Sequence, residues 1–219
     1  TSFSAPYALR SAVGIRSIMG QELSPLAIKA LLVHAANTNG HHVTEVGWGK
    51  IPENLNDIIT SPDGVARIVY QGELKPGKYL RAPLPLPNGT LNGSISLSAT
   101  FCYASATDPQ DSASYTKAGL EVSFRPNEDK SKSEGQTNAD SKGFFELKKY
   151  ATESERRSDM GKWETVLHNS KNMRGSSLKN PVFDIHYNAR DCGGMASKPE
   201  KIKYALIITV KASKHADLY

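Results

Sequence analysis

Alternation of apolar and polar residues is the feature that most limits what this chain can fold into. Between Ser94 and Tyr103 every second residue is apolar, and a similar rhythm returns between Ile202 and Lys211. Successive side chains of a β-strand point to opposite faces, so a period of two predicts strands with one face on a core. Further segments with this rhythm are 65–70, 120–125 and 183–188, and weaker candidates are 78–82, 144–147 and 163–168.

The beginning of the chain follows a helical period instead. Apolar and small residues recur every three or four positions from Ser4 to about Gln21, which predicts one helix with Ser4 as a candidate cap and Pro6 in its first turn. A second helix is predicted with Ser24 as N-cap and Pro25 at its first position, ending before 37–40. Two consecutive helices therefore precede the strands.

The change of period near Ser61 divides the chain into two predicted units, residues 1–60 and 61–219. The segment 52–59 is long enough for one or two helical turns, and 126–143 is nearly free of apolar residues and is predicted to be a mobile surface loop. Many strands without intervening helices are typical of an antiparallel sandwich. The predicted fold class is mainly β, an antiparallel β-sandwich or jelly roll preceded by two helices.

Composition and charge exclude several kinds of partner. With 219 residues, 38% hydrophobic and 22% charged, the chain has the composition of a globular protein. Its formal charge is +5, but basic and acidic residues are mixed, as in 148–162, so we expect a solvated surface and no nucleic-acid binding. No run of apolar residues is long enough to predict a membrane span.

The two cysteines, Cys102 and Cys192, are far apart and belong to no metal-binding pattern. Two cysteines do not make a disulfide framework in a chain of this length, which favours a reducing compartment and hence a cytoplasmic location. A surface thiol is the prediction for Cys192.

No cofactor is predicted. Asp108, Asp111 and Asp129 stand in predicted loops where carboxylates could bind structural calcium, but they lack the spacing of an EF-hand. Trp48 and Trp163 are interpreted as packing residues rather than as platforms for sugar stacking.

The histidines are candidates for metal ligands and for catalytic bases. His34 falls on the packed face of the second helix and is interpreted as a core residue, and the adjacent His41 and His42 are interpreted as a loop. His186 stands two residues from Asp184 on the polar face of a strand. That pair could coordinate a cation or simply be exposed, and the sequence leaves both alternatives open.

The first eight residues, TSFSAPYA, carry the one motif with chemistry in it. They place Ser2 just before a helix, among small neighbours. A serine hydroxyl is a weak nucleophile that needs a base beside it, and the tetrahedral product needs hydrogen-bond donors aimed at its oxyanion. The unpaired N–H groups at the start of a helix are such donors.

This stretch resembles the nucleophile motif of the subtilisin-like serine proteases, peptidase family S8. Thr1, Ser2, Ser4 and Pro6 fall on the motif positions, and Ser2 maps to the nucleophile. The family has small residues a few positions after the proline, where this chain has Leu9 and Arg10, so the surroundings of the helix depart from the family pattern there.

Two later segments extend the resemblance over about the first 60 residues. SPLAIKALLVHAAN at 24–37 is similar to the second helix of the family, and VGWGKI at 46–51 to the turn that closes its catalytic domain. The resemblance implies that residues 1–60 are the C-terminal part of an α/β catalytic domain and that 61–219 form an accessory β-sandwich.

As a protease, the protein would cleave peptides or proteins by an acyl-enzyme mechanism with Ser2 as nucleophile. In this family the Asp, the His and an oxyanion-hole Asn precede the serine, so they would lie in an upstream part of the same domain and this chain alone would be inactive. Two alternatives stay open. The sandwich could be a protein- or glycan-binding module, or the protein could be a pseudoprotease. Exposed aromatic residues on one sheet would favour a binding module, and buried ones a scaffold.

Overall fold

The structure, a computed structural model, describes residues 2–87, 91–107, 109, 116–131, 139–145, 163–189, 200–215 and 218. The helices are α1 (Ser4–Met19), α2 (Pro25–Ala35), α3 (Val43–Val46) and α4 (Asn56–Ile59). The strands are β1 (Val65–Leu74), β2 (Tyr79–Pro83), β3 (Ser94–Ala104), β4 (Ala118–Arg125), β5 (Val166–Arg174), β6 (Val182–Ala189) and β7 (Ile202–Lys211). In this part of the chain, no helix combines the length and apolar character needed to cross a membrane.

Both predicted helices are confirmed, but the candidate cap of α1 is wrong. Ser24 caps α2, its hydroxyl accepting a hydrogen bond from the N–H of Ala27 at 3.2 Å. Ser4 is instead the first residue of α1, which follows Phe3 and has no side-chain cap. The helix ends earlier than predicted because Gly20 turns the backbone to a φ of 95°.

All the strongly alternating segments form strands, and of the weaker candidates 78–82 and 163–168 overlap β2 and β5. The third weak candidate, 144–147, is wrong for Phe144 and Phe145, which bury their rings without joining a strand. Its other residues, Glu146 and Leu147, lie outside the described residues. The predicted loop 126–143 contains no helix or extended strand in its described part.

The strands form two antiparallel sheets with a nested order. One sheet runs β1-β7-β3-β5 and the other β2-β6-β4. Pairing proceeds inward from the two ends of the chain: β1 pairs with β7 in the first sheet, β2 with β6 in the second and β3 with β5 in the first. This wrapping of nested pairs is the order of a jelly roll. The mainly β fold class with two leading helices is confirmed.

The space between the sheets is filled by alternate residues of both. Phe101 and Leu206 from the first sheet and Phe124 and Phe183 from the second are at most 1% exposed. Phe124 and Phe183 lie with ring centroids 4.8 Å apart. Apart from Tyr79 and the half-buried Trp163, the sandwich has its aromatic side chains in or beside this core wherever their burial is described.

A second core lies on the outer face of the β1-β7-β3-β5 sheet, under α1, α2 and α4. Cys102, Ala205 and Ile207 of the sheet and Ile15 and Leu31 of the helices are at most 2% exposed there. We call α1 to α4 the helical layer. The predicted boundary between residues 60 and 61 falls in the connection from α4 to β1, and the two predicted units share this core. The assignment of the layer to the end of a protease domain stays a prediction.

Polar side chains cross the same interface in one continuous network. His34 of α2 contacts the hydroxyl of Thr100 through Nδ1 at 2.8 Å and that of Thr209 through Nε2 at 2.7 Å. Thr100 also contacts Nδ1 of His168 at 2.7 Å, and Nε of Arg67 donates to Thr209 at 3.3 Å. The interpretation of His34 as a hydrogen-bonded core residue agrees with these contacts.

Hydroxyl groups contact both imidazoles of the network, and a hydroxyl can donate or accept, so these contacts are compatible with either neutral tautomer of each ring. Arg67 can only donate, so Thr209 accepts from it. Burial, then the charges of His168 and Arg67, lower the pKa of His34 to about 3, and burial lowers the pKa of His168.

We predict that acidification lowers the free energy of unfolding through these two histidines. Unfolded histidine takes up its proton near pH 6.5, whereas His34 in the folded chain stays neutral, so the unfolded state binds more protons as pH falls. The free energy of unfolding should be constant above about pH 7 and then fall by at most about 1.4 kcal/mol per pH unit for each histidine. Urea denaturation between about pH 7.5 and about pH 5 measures this slope.

The substitution His34→Gln should flatten the slope, because glutamine can donate and accept here without titrating. His41→Gln, in the exposed segment before α3, is the matched control and should keep the wild-type slope. An unchanged slope in His34→Gln would contradict the prediction.

Candidate functional site

The structure places Ser2 on the surface. It is exposed, in a turn directly before the 16-residue helix α1, whose first N–H groups lack a side-chain cap. These are features that an attacking serine needs. The turn and the start of α1 provide Ser2 with neither a general base nor a carboxylate to orient that base.

All six histidines lie among the described residues, and each has contacts away from Ser2. His34 and His168 share the buried network, and His186 stacks on Tyr79. The remaining three, in solvent-accessible segments, are His41 near Glu45, His42 on Thr44 and His215 at the N–H of Asn92. The contacts of these six histidines therefore give no support to a base for Ser2 among the described residues.

The outer face of the β2-β6-β4 sheet carries a polar groove of about 630 Å³. Strand register builds it from two rows that cross the three strands. One row is Tyr79, His186 and Glu121, and the other is Arg81, Asp184 and Ser123. Arg125, the next outward residue of β4, closes one end. We call these seven residues the sheet groove.

The carboxylate of Asp184 organises this groove. Arg81 donates to it twice, from Nε at 2.8 Å and from Nη2 at 3.0 Å, and Nε of Arg125 donates at 2.7 Å. Arg125 also donates to the backbone oxygen of Ala139. Burial by itself raises the pKa of Asp184, but the hydrogen bonds and charges of both guanidinium groups outweigh it, so that pKa lies below its ordinary value. The carboxylate is ionised at neutral pH and holds both arginines in place.

Tyr79 is the exposed aromatic residue of the groove. Its ring stacks on the imidazole of His186, with centroids 4.4 Å apart and planes 9° from parallel. The tyrosine nevertheless keeps 72% of its surface exposed. One ring face is therefore held by His186 while the side chain stands open to solvent.

The sequence located part of this groove and missed the rest. The sequence pairs Asp184 with His186, but both carboxylate oxygens of Asp184 accept from arginines, so the cation alternative gains no support. Tyr79, Arg81 and Arg125 were missed. Each alternates outward on its strand, which is a visible signal, but their meeting depends on pairing between strands far apart in the chain.

The other candidates hold packing or surface positions. Trp48 is 40% exposed and meets His168 edge-to-face at 6.0 Å, and Asp129 pairs with Lys179 at 2.8 Å. Cys102 is fully buried, and burial raises its pKa to about 11. The described residues contain no cluster of three side chains suited to a metal ion. Asp108, Asp111 and Cys192 lie outside the described residues.

Comparisons with known proteins add little to this picture. No protein-family model and no curated protein matches the chain. Among solved structures, the VP2 subviral particle of infectious bursal disease virus is similar over 71% of this chain and 33% of its own, at 11% identity and a TM-score of 0.35. The structure of the Gx strain of that virus is similar over 71% of this chain and 33% of its own, at 12% identity and a TM-score of 0.33. The structure of the Gt strain is similar over 72% of this chain and 35% of its own, at 11% identity and a TM-score of 0.34.

The chain thus spans about a third of the length of those viral proteins. At such scores the likeness carries no argument about this chain. The jelly-roll order rests on the strand pairing alone.

We predict that Asp184→Asn lowers the free energy of unfolding by about 1–3 kcal/mol, because it leaves two guanidinium groups without their carboxylate. Thermal and urea denaturation measure the loss. Asp129→Asn is the matched control, since its pair with Lys179 is more than half exposed on both sides and should be worth less than about 1 kcal/mol. Equal losses in the two variants would contradict the organising role of Asp184.

Proposed function

We propose that this chain is a protein-binding jelly-roll module that associates with a second copy of itself through the helical layer. The single observation that carries the proposal is the distribution of exposed apolar side chains. Of the nine large hydrophobic residues that are exposed in the described part of the chain, eight stand between residues 3 and 48. Concentrated exposed apolar surface marks interaction sites.

The helix α1 carries five of these eight residues. Ser11 and Ile15, four residues apart, are 6% and 0% exposed and face the second core. Leu9 and Val13, also four apart and hence on one face, are 64% and 61% exposed. A helix buried on one side and apolar on another has a second surface suited to a partner.

The charge balance of this region favours a protein partner. Residues 1–60 contain four basic and four acidic residues, so the whole formal charge of +5 resides in 61–219. The cores of protein–protein interfaces contain few charged residues. Membranes and nucleic acids are negatively charged and instead attract protein surfaces that are basic. A layer without net charge adds no repulsion of its own where two copies meet, and paired identical copies are the commonest oligomers.

We predict that the double substitution Leu9→Glu with Val13→Glu converts a self-associated chain to a monomer. Glutamate keeps a good helix propensity, so the far-ultraviolet circular dichroism should change little. Sedimentation equilibrium at micromolar concentrations measures the association.

Tyr79→Glu is the matched control, because it replaces an exposed apolar residue on the opposite sheet. It should leave the association intact. A wild-type chain that stays monomeric throughout, or a double variant that still associates, would contradict the proposal.

A second candidate function is peptide-bond hydrolysis of the subtilisin type. The observation that favours it is the exposure of Ser2 at the uncapped start of α1. In this reading the apolar surface of the layer would meet the upstream part of a catalytic domain, which would supply the Asp, the His and the oxyanion Asn. The pseudoprotease alternative differs in lacking those groups.

We predict that a form of the protein carrying polypeptide upstream of Thr1 would be labelled by a fluorophosphonate at Ser2, as measured by peptide mapping in a mass spectrometer. Activation of the hydroxyl by a neighbouring histidine is what makes serine react with this reagent. Ser2→Ala should abolish the label, and Ser17→Ala, on the exposed surface of α1, should keep it. Absence of labelling from a folded, extended protein would exclude the hydrolase.

A further inference from the structure

We propose that the sheet groove is a binding site for a neutral saccharide. The groove lies on the sheet opposite the helical layer, so it is independent of both functions proposed above. Its volume of about 630 Å³ falls in the range of small-ligand sites.

The aromatic wall of the groove is Tyr79. His186 stacks on its ring at 4.4 Å and fixes its orientation, while the side chain stays 72% exposed. The face of an aromatic ring is electronegative, and the C–H groups of a pyranose are weakly positive and apolar. An oriented, solvent-exposed ring is therefore a surface on which one face of a sugar ring can pack.

The polar wall is the cluster around Asp184. Arg81 uses Nε and Nη2 on that carboxylate, which holds its guanidinium in a fixed plane although the side chain is 52% exposed. A guanidinium has five N–H donors, so the clamped group can still donate to ligand oxygens. Ser123 of β4 lies opposite Asp184 of β6, and its hydroxyl can donate or accept a hydrogen bond. Adjacent sugar hydroxyls need donors and acceptors in such proximity.

The charges of the groove point to an uncharged ligand. Arg81 and Arg125 are balanced by Asp184 and Glu121, and both guanidinium groups are already bound to a carboxylate. A phosphate or sulfate site needs basic groups in excess. A polyol that exchanges neutral hydrogen bonds suits the site better than an anion.

Saturation-transfer NMR and titration with lactose, maltotriose and cellotriose test the proposal on the whole chain. At least one of the three should receive saturation at its pyranose C–H groups and bind with a Kd in the millimolar range or tighter. Tyr79→Ala should weaken that binding by at least about tenfold, which corresponds to about 1.4 kcal/mol. Tyr79→Phe should retain it, because the ring face is kept.

Tyr7→Ala, which removes an exposed tyrosine from the helical layer, is the matched control and should leave binding unchanged. Arg81→Lys should weaken binding, since lysine keeps the charge but loses the planar fork. The proposal is overturned if none of the three saccharides binds at about 10 mM. It is overturned equally if Tyr79→Ala binds the saccharide as tightly as the wild type does. A third contradicting result is salt-dependent binding of sulfate without binding of any of the three saccharides.

Discussion

The structure depends on the burial of β7 on both of its faces. This strand is hydrogen-bonded to β1 on one side and to β3 on the other. Leu206 and Ile208 point into the sandwich, while Ala205 and Ile207 point under the helical layer, and all four are fully buried. Because one strand belongs to two cores, the sandwich and the layer constrain each other. The buried Thr100 makes the constraint specific, since its hydroxyl requires a partner and finds His34.

The sequence predicted elements well because their signals are local. Period two identified β1, β3, β4, β6 and β7, the weaker candidates overlapped β2 and part of β5, and the Ser24-Pro25 pair identified the start of α2. The sequence did not predict that the helices cover the β1-β7-β3-β5 sheet. The alternation of β7 assigned Ala205 and Ile207 to the outward set, yet both are apolar, which is the composition of a strand buried on two sides. The strand prediction at Phe144 was wrong for a related reason. An aromatic run between polar segments can fill a core without hydrogen bonding to a neighbouring strand.

The sheet groove was only partly predictable because register is not a local property. Arg81 meets Asp184 across 103 positions of sequence, and Arg125 meets it across 59. No spacing motif encodes such a meeting, since it follows from β2 and β4 both pairing with β6. The Ser2 motif is the opposite case. Its letters are local and easily matched, but a nucleophile is defined by its base, and that geometry cannot be read from eight residues.

A jelly roll does not choose a function by itself, because the same fold serves capsid subunits, lectins and cupins. The two sheets of this chain differ in what lies outside them. The β1-β7-β3-β5 sheet is covered by a neutral, apolar helical layer, and the β2-β6-β4 sheet presents an open polar groove. Association through the layer would leave the groove of each copy free. Two weak saccharide sites carried by one dimer would then bind a polymeric glycan with an avidity beyond either site alone, provided their spacing lets both engage.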